Sequence, residues 1–276
     1  MNYFKATAAY LFKNGKGKQF FVFALFALIP CAVAAYYFPA TKLIGWLANF
    51  QSITDISWSK LWLSFFPSTL IGNLVSVLAV ALFIFSEAAI STMISRHLRV
   101  GVFYTKGIFR NINENFFPAL YSTIGFVIIV VITFTIMSLF LLLWTIVRIK
   151  LLGMIAAIIS VVILGTVFIY IWATINLWLP IMSFNGLNFV KSFSVAFYKS
   201  RISQRLFFIP YFVVVLIVVA LNLVAYFTKH IWVISYILTL TSYIFAGVFI
   251  ISFNFISYFE VEALPREDLA RLYRSK

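Results

Sequence analysis

Six stretches of this chain, at roughly 19–39, 64–94, 116–146, 151–181, 206–227 and 231–258, are each long enough and apolar enough to cross a bilayer, which takes about 20 apolar residues. No other feature restricts the fold as strongly. Inside lipid every backbone N–H and C=O must find a partner within the protein, so runs of this length are read as helices. Apolar residues make up 64% of the chain and charged residues only 10%, far outside the range of a soluble domain. The expected class is therefore all-α, a polytopic membrane bundle of six helices in one transmembrane domain, 1–276. Several stretches exceed the minimum, which implies tilt or extension beyond the bilayer. Trp46, Trp58, Trp62 and Trp232 lie where stretches meet water, as membrane-interface aromatics do.

The net charge of +14 raises the question of nucleic acid, and the placement of the cations answers it. Sixteen of the 21 Lys and Arg residues fall before span 1, between spans 2 and 3, between spans 4 and 5, or after span 6. Lys42, Lys60, Arg148, Lys150 and Lys229 fall on the other side. This is a topology signal: the positive-inside rule puts both termini in the cytoplasm and the loop from Pro39 to Leu63 outside. Anionic lipid headgroups would attract the same cations, so lipid is the expected partner, with a membrane protein as a second partner class and no nucleic acid. Leu43, Ile44, Trp46, Leu47 and Phe50 are spaced for a short helix on the outer surface.

Three segments resemble one another. Phe12-Lys13-Asn14 precedes Phe20-Phe21, Phe109-Arg110-Asn111 precedes Phe116-Phe117, and Tyr198-Lys199-Ser200 precedes Phe207-Phe208. The motifs start 97 and 89 residues apart. Around each, apolar residues follow a helical period and the cations point elsewhere, the pattern of a helix lying in the headgroup plane. One reading is three repeats, 1–97, 98–186 and 187–276, each an amphipathic elbow plus a two-span hairpin. The other is that basic, aromatic interfacial loops occur in any multi-span protein. On either reading Lys13, Arg110 and Lys199 are the expected headgroup contacts. Pro118 and Pro210 are placed in the first turns of spans, where a missing N–H costs little, and Pro180 at the end of span 4.

Chemistry inside the membrane starts from polar residues, which are costly there. Glu87 is a carboxylate within an apolar stretch, nine residues before Arg96 and so roughly 13 Å from it along a helix. Asn176 and Asn254 sit in comparable positions, late in the second spans of their units. Three such groups could converge near a central axis as an ion or proton site, or each could tie helices together. Asn73 and Asn222 are further candidates, with interhelical bonding the expected role. His97 and His230 are far apart in the sequence and Cys31 is alone, so neither a metal site nor a disulfide within the chain is expected, and no cofactor. Leu28-Ile29-Pro30-Cys31 has a faint likeness to a lipoprotein processing site, but Pro30 before the Cys is wrong for it and an uncleaved span 1 is expected. No phosphate-binding loop or nucleophile motif occurs, so the expected protein is not an enzyme.

Phe193, Ala196, Phe197, Tyr198, Lys199, Ser200 and Phe207-Phe208, with Trp178-Leu179-Pro180 and Gly186-Leu187-Asn188-Phe189 upstream, form a further pattern. It resembles a broad group of bacterial six-span membrane proteins, including the membrane domain attached to glycerophosphodiester phosphodiesterases and related families of unknown function. The resemblance implies a six-helix bundle in a bacterial inner (plasma) membrane. It implies no activity, because the catalytic phosphodiesterase domain has no counterpart in this chain. Two functions are therefore carried forward: a non-enzymatic scaffold or partner subunit with anionic-lipid contacts, and a small transporter or channel for a lipophilic or ionic solute with Glu87 in its path.

Overall fold

A computed structural model describes residues 3–38, 40–50, 69–103, 107–147, 149–186, 188–202 and 204–274. Among them all regular structure is helical. The chain opens with α1 (Tyr3–Ala8), which widens into a π turn over Ala9–Lys13 and closes with Asn14 N–H donating to Ala9 O at 2.8 Å. Then follow α2 (Lys18–Tyr37), α3 (Thr41–Ala48), α4 (Leu70–Val100), α5 (Ile108–Asn111), α6 (Asn113–Thr145), α7 (Lys150–Thr174), α8 (Trp178–Asn185), α9 (Phe189–Ile202), α10 (Gln204–Phe227), α11 (Trp232–Val261) and α12 (Glu267–Arg274). The runs that carry α2, α4, α6, α7 with α8, α10 and α11 are long and apolar enough to cross a membrane, as in a multi-pass membrane protein.

The six long helices pack as a ring in chain order: α2 on α4, α4 on α6, α6 on α7, α7 on α10, α10 on α11, and α11 back on α2. Helix α11 also reaches across to α4. Because the spans alternate in direction, the elbows α1, α5 and α9 and the tail helix α12 gather at one end of the bundle. That end holds most of the cations and most of the core. The second half of α4 and the second half of α11 are buried on nearly every side, and α8 fills the space beside them.

Several boundaries differ from expectation, each for a local reason. Helix α4 starts at Leu70 because Thr69 caps it, its Oγ1 accepting from Gly72 N at 3.1 Å. It continues past residue 97 to Val100 and stops at Gly101, whose φ of +72° is the left-handed cap that glycine adopts without strain. Among the described residues the second elbow is the four-residue helix α5, preceded by Gly107 at positive φ. Lys106 and the loop residues 51–68, with Trp58, Lys60 and Trp62, lie outside the described residues. Helices α6 and α10 begin at Asn113 and Gln204, before the Phe pairs, so Pro118 and Pro210 stand in the second turn rather than the first.

Span 4 is broken. Helix α7 ends at Thr174, and α8 restarts at Trp178. Pro180 has no N–H to donate to the carbonyl four residues back, that of Asn176, which favours a break at this point. Pro180 thus lies inside α8 and the break precedes it.

At the other end, α3 is a docked element. It packs on α7 and α10, and Phe50 just beyond it is buried against Met137, Leu141 and Ala157. Tyr243 ties the α2–α3 corner to α11, accepting from Ala40 N at 3.0 Å and donating to Phe38 O at 2.7 Å.

Candidate functional site

Glu87 lies in the buried half of α4, 6% exposed, facing α6. Two neighbouring hydroxyls hold it: Ser122 Oγ donates to Oε1 at 3.2 Å and Thr123 Oγ1 to Oε2 at 2.6 Å. Asn115 is seven residues before Ser122, which puts both on one face of α6, and its Nδ2 donates to Thr92 Oγ1 of α4 at 3.0 Å. Among the described residues the α4–α6 seam is thus closed by three buried interhelical hydrogen bonds, with the exposed Arg96–Glu114 pair at its rim. Against α8, Gly125 of α6 allows a close approach: a Cβ there would fall 2.5 Å from the Trp178 ring.

Asn176 and Asn254 belong to a second set of bonds. Asn176 sits in the break between α7 and α8, so its side chain is free of helical geometry. Its Oδ1 accepts from Ser200 Oγ of α9 at 3.0 Å, and its Nδ2 makes a long contact of 3.4 Å to Ser257 Oγ of α11. Ser257 in turn donates to Asn254 O at 3.1 Å, and Tyr211 of α10 donates to Asn254 Oδ1 at 2.5 Å. The third elbow, the broken span and both helices of the last hairpin are joined through these groups. Of the three intramembrane residues read from the sequence, the structure links Asn176 with Asn254 and seats Glu87 separately on the α4–α6 seam. Asn222 pairs within the last hairpin, donating to Ser242 Oγ at 3.0 Å and accepting from Thr239 Oγ1 at 3.2 Å, while Asn73 is exposed.

The elbow cations differ from one another. Lys13 is exposed. The Arg110 side chain lies outside the described residues. Lys199 is half-buried and donates to Glu262 at the end of α11, so its charge is met inside the protein. The first elbow is not a free surface helix either. Thr7, Tyr10 and Leu11 are buried, Phe4 packs on Phe249, and Tyr3 stacks on Phe207.

The tail helix seals this end. Arg266 bonds Glu260 at 3.3 Å and Asp268 at 2.8 Å, and its guanidinium and the Asp268 carboxylate are almost wholly buried. Burial alone would lower the Arg266 pKa; the bonds and charges of Asp268 and Glu260 outweigh it and leave the guanidinium above its ordinary value. Tyr10 shares a hydrogen bond of 3.1 Å with His97 Nδ1. Burial first, then the Asp268 carboxylate, hold the Tyr10 phenol well above its ordinary value, partly offset by Arg266, so it stays protonated. Helix α12 approaches so closely that a Cβ on Gly101 would lie 2.6 Å from Glu267 O.

One contact escaped sequence reasoning although its signal was present. Pro30 in α2 cannot donate to Phe26 O, which frees that carbonyl inside the apolar region. Ser86 Oγ of α4 donates to it at 2.5 Å. A proline in mid-span marks the carbonyl four residues earlier as needing a donor, and Ser86 beside Glu87 supplies one.

Among the described residues no group of three His, Cys, Asp or Glu side chains is placed to hold a metal ion. Chemically, the buried set can lock helices together or, at Glu87, carry a proton or cation. No family model, curated protein or solved structure matches this chain.

Proposed function

We propose that this is a non-catalytic membrane protein, a scaffold or partner subunit built from three elbow-and-hairpin units and seated on anionic lipid by its cation-rich end. The observation that carries the reading is that Glu87, Asn176 and Asn254 are each bonded by side chains of a neighbouring helix within packed protein. A transport path would need these groups to face a solvated route, whereas groups spent on interhelical bonds act as structural glue. The ring order of the six helices, in which each first span lies between two second spans, supports the three-unit reading. The excess of cations at the elbow end supports an orientation with that end in the cytoplasm, and the resemblance to bacterial six-span proteins supports a bacterial inner membrane as the location.

The test is recovery from native membranes in mild detergent. A specific membrane protein, or an enrichment of anionic lipid over the bulk membrane, should accompany the purified chain. Isolation of the chain alone, with lipid in the proportions of the membrane, would count against the proposal.

A small transporter or channel is the second reading, and two observations favour it. The described partners of Glu87 are hydroxyls rather than a cation, and span 4 is broken beside Asn176, as spans of transporters are at their binding sites. Solute flux into proteoliposomes that disappears on Glu87→Gln would select this reading over the first.

A further inference from the structure

A groove of about 450 Å³ lies at the elbow end, between the last turn of α7, the face of α9 and the start of α10. That volume falls within the range of about 300–1,000 Å³ typical of small-molecule sites. It is lined by none of Glu87, Asn176 and Asn254, and opens to the outside of the bundle. Its walls are apolar or aromatic: Tyr170 and Ile175 on one side, Phe193 and Phe197 on the other. The three aromatic rings are each more than one-third exposed.

The polar end of the groove is formed by Arg201 and Gln204. Arg201 is exposed and has no ion pair among the described residues, in contrast to Lys199 two positions earlier, whose charge Glu262 meets. Gln204 has its Nε2 buried with no hydrogen-bond partner. A buried amide donor without an acceptor is destabilising, so an acceptor placed beside it would be stabilised. A guanidinium and an amide N–H from residues lining one groove, with no carboxylate in that lining, select an anion with several acceptor oxygens. The walls select a hydrocarbon chain. The site stands where the apolar run of α10 begins, at headgroup depth on the reading of a membrane-spanning chain.

We propose that this groove binds one anionic phospholipid, with the phosphate on Arg201 and Gln204 and the upper acyl chain along Tyr170, Ile175, Phe193 and Phe197. A zwitterionic lipid shares the phosphate but brings an ammonium for which the groove has no acid. The inference deepens the lipid-contact part of the function proposed above, yet uses none of Lys13, Arg110 and Lys199, and it can fail while the scaffold reading stands.

The test is native mass spectrometry of the full chain released from membranes of mixed phosphatidylglycerol and phosphatidylethanolamine. The wild type should keep one phosphatidylglycerol per chain at detergent levels that strip the other lipids. Arg201→Gln should weaken retention about tenfold or more, the effect of losing a charge-assisted hydrogen bond. Gln204→Leu should weaken it by a smaller factor. Arg205→Gln removes a neighbouring exposed cation outside the groove and should leave retention unchanged, and inorganic phosphate at millimolar concentration should not displace the lipid. Equal losses from Arg201→Gln and Arg205→Gln would show diffuse attraction and overturn the proposal. So would displacement by free phosphate, equal retention of both lipids, or a second copy of the chain in place of lipid. Thermal unfolding of each variant, with helicity unchanged, confirms that the loss is one of binding.

Discussion

The two ends of this bundle are made from the same apolar spans and are held together differently. At the elbow end, residues 86–95 of α4 and, apart from half-buried Ile250, residues 248–259 of α11 are buried, and serines, threonines, asparagines and Glu87 bond helix to helix. At the far end, residues 70–83 of α4 and 232–247 of α11 are largely half-buried or exposed. Order there depends on a few tethers: Tyr236 and Tyr243 to the backbone of α2 and its corner, Asn222 within the last hairpin, and Phe50 under α3. Lipid is as apolar as leucine, so apolar area alone cannot hold helices together in a membrane. The end with the polar inventory and the extra helices therefore carries the packing. The other end meets lipid.

Four substitutions sharpen or break this contrast, in descending order of expected effect. Gly101→Val acts at the elbow end. It puts a β-branched residue at φ +72° with its Cβ 2.6 Å from Glu267 O. Backbone strain and overpacking together should cost about 2–5 kcal/mol. The thermal midpoint in detergent should fall sharply and proteolysis of the 260–276 segment should rise; an unchanged midpoint would mean α12 is not docked.

Ser86→Ala should come next, at about 1–2 kcal/mol, because it leaves Phe26 O without a donor. Combining it with Pro30→Ala should recover much of the loss, since the helix can then supply its own N–H. Simple additivity in the double-mutant cycle would refute the pairing.

Asn222→Leu tests the far end. It removes bonds to Ser242 and Thr239 and should cost about 0.6 kcal/mol, near the average for interhelical bonds in membranes. A loss as large as that of Ser86→Ala would erase the difference between the two ends. Arg96→Gln should have the smallest effect, within about 0.5 kcal/mol, because its partner Glu114 is 59% exposed and water screens the pair. A larger loss would mean that the pair is shielded from water rather than screened at the rim of the packed end.

Much of this contrast was legible in the sequence. Six apolar runs announce six helices, and the clustering of cations picks out one end. The polar residues Glu87, Asn176 and Asn254 could be named as buried candidates because nothing else explains their place in apolar runs. Their partners could not, since Ser122, Thr123, Ser200 and Tyr211 are ordinary residues until the ring order of the helices brings them opposite. The first elbow reads as a surface helix from its period, yet Tyr10 is buried because its phenol reaches His97, a pairing across 87 residues. Pro180 reads from the sequence as the end of span 4, but the helix stops earlier, at Thr174, restarts at Trp178 and carries Pro180 on to Asn185; the apolar run on both sides hides this.

The most direct measurement of the central claim, that the elbow end is a closed and bonded core, is cysteine accessibility at Ser91. This residue on α4 is fully buried, one turn beyond Glu87. In a Cys31→Ala background, Ser91→Cys in native membranes should resist small impermeant thiol reagents from either side. Exposed Ser194→Cys should react from the elbow side. Labelling of Ser91→Cys from either side would mean that water reaches the level of Glu87, and would contradict a sealed scaffold.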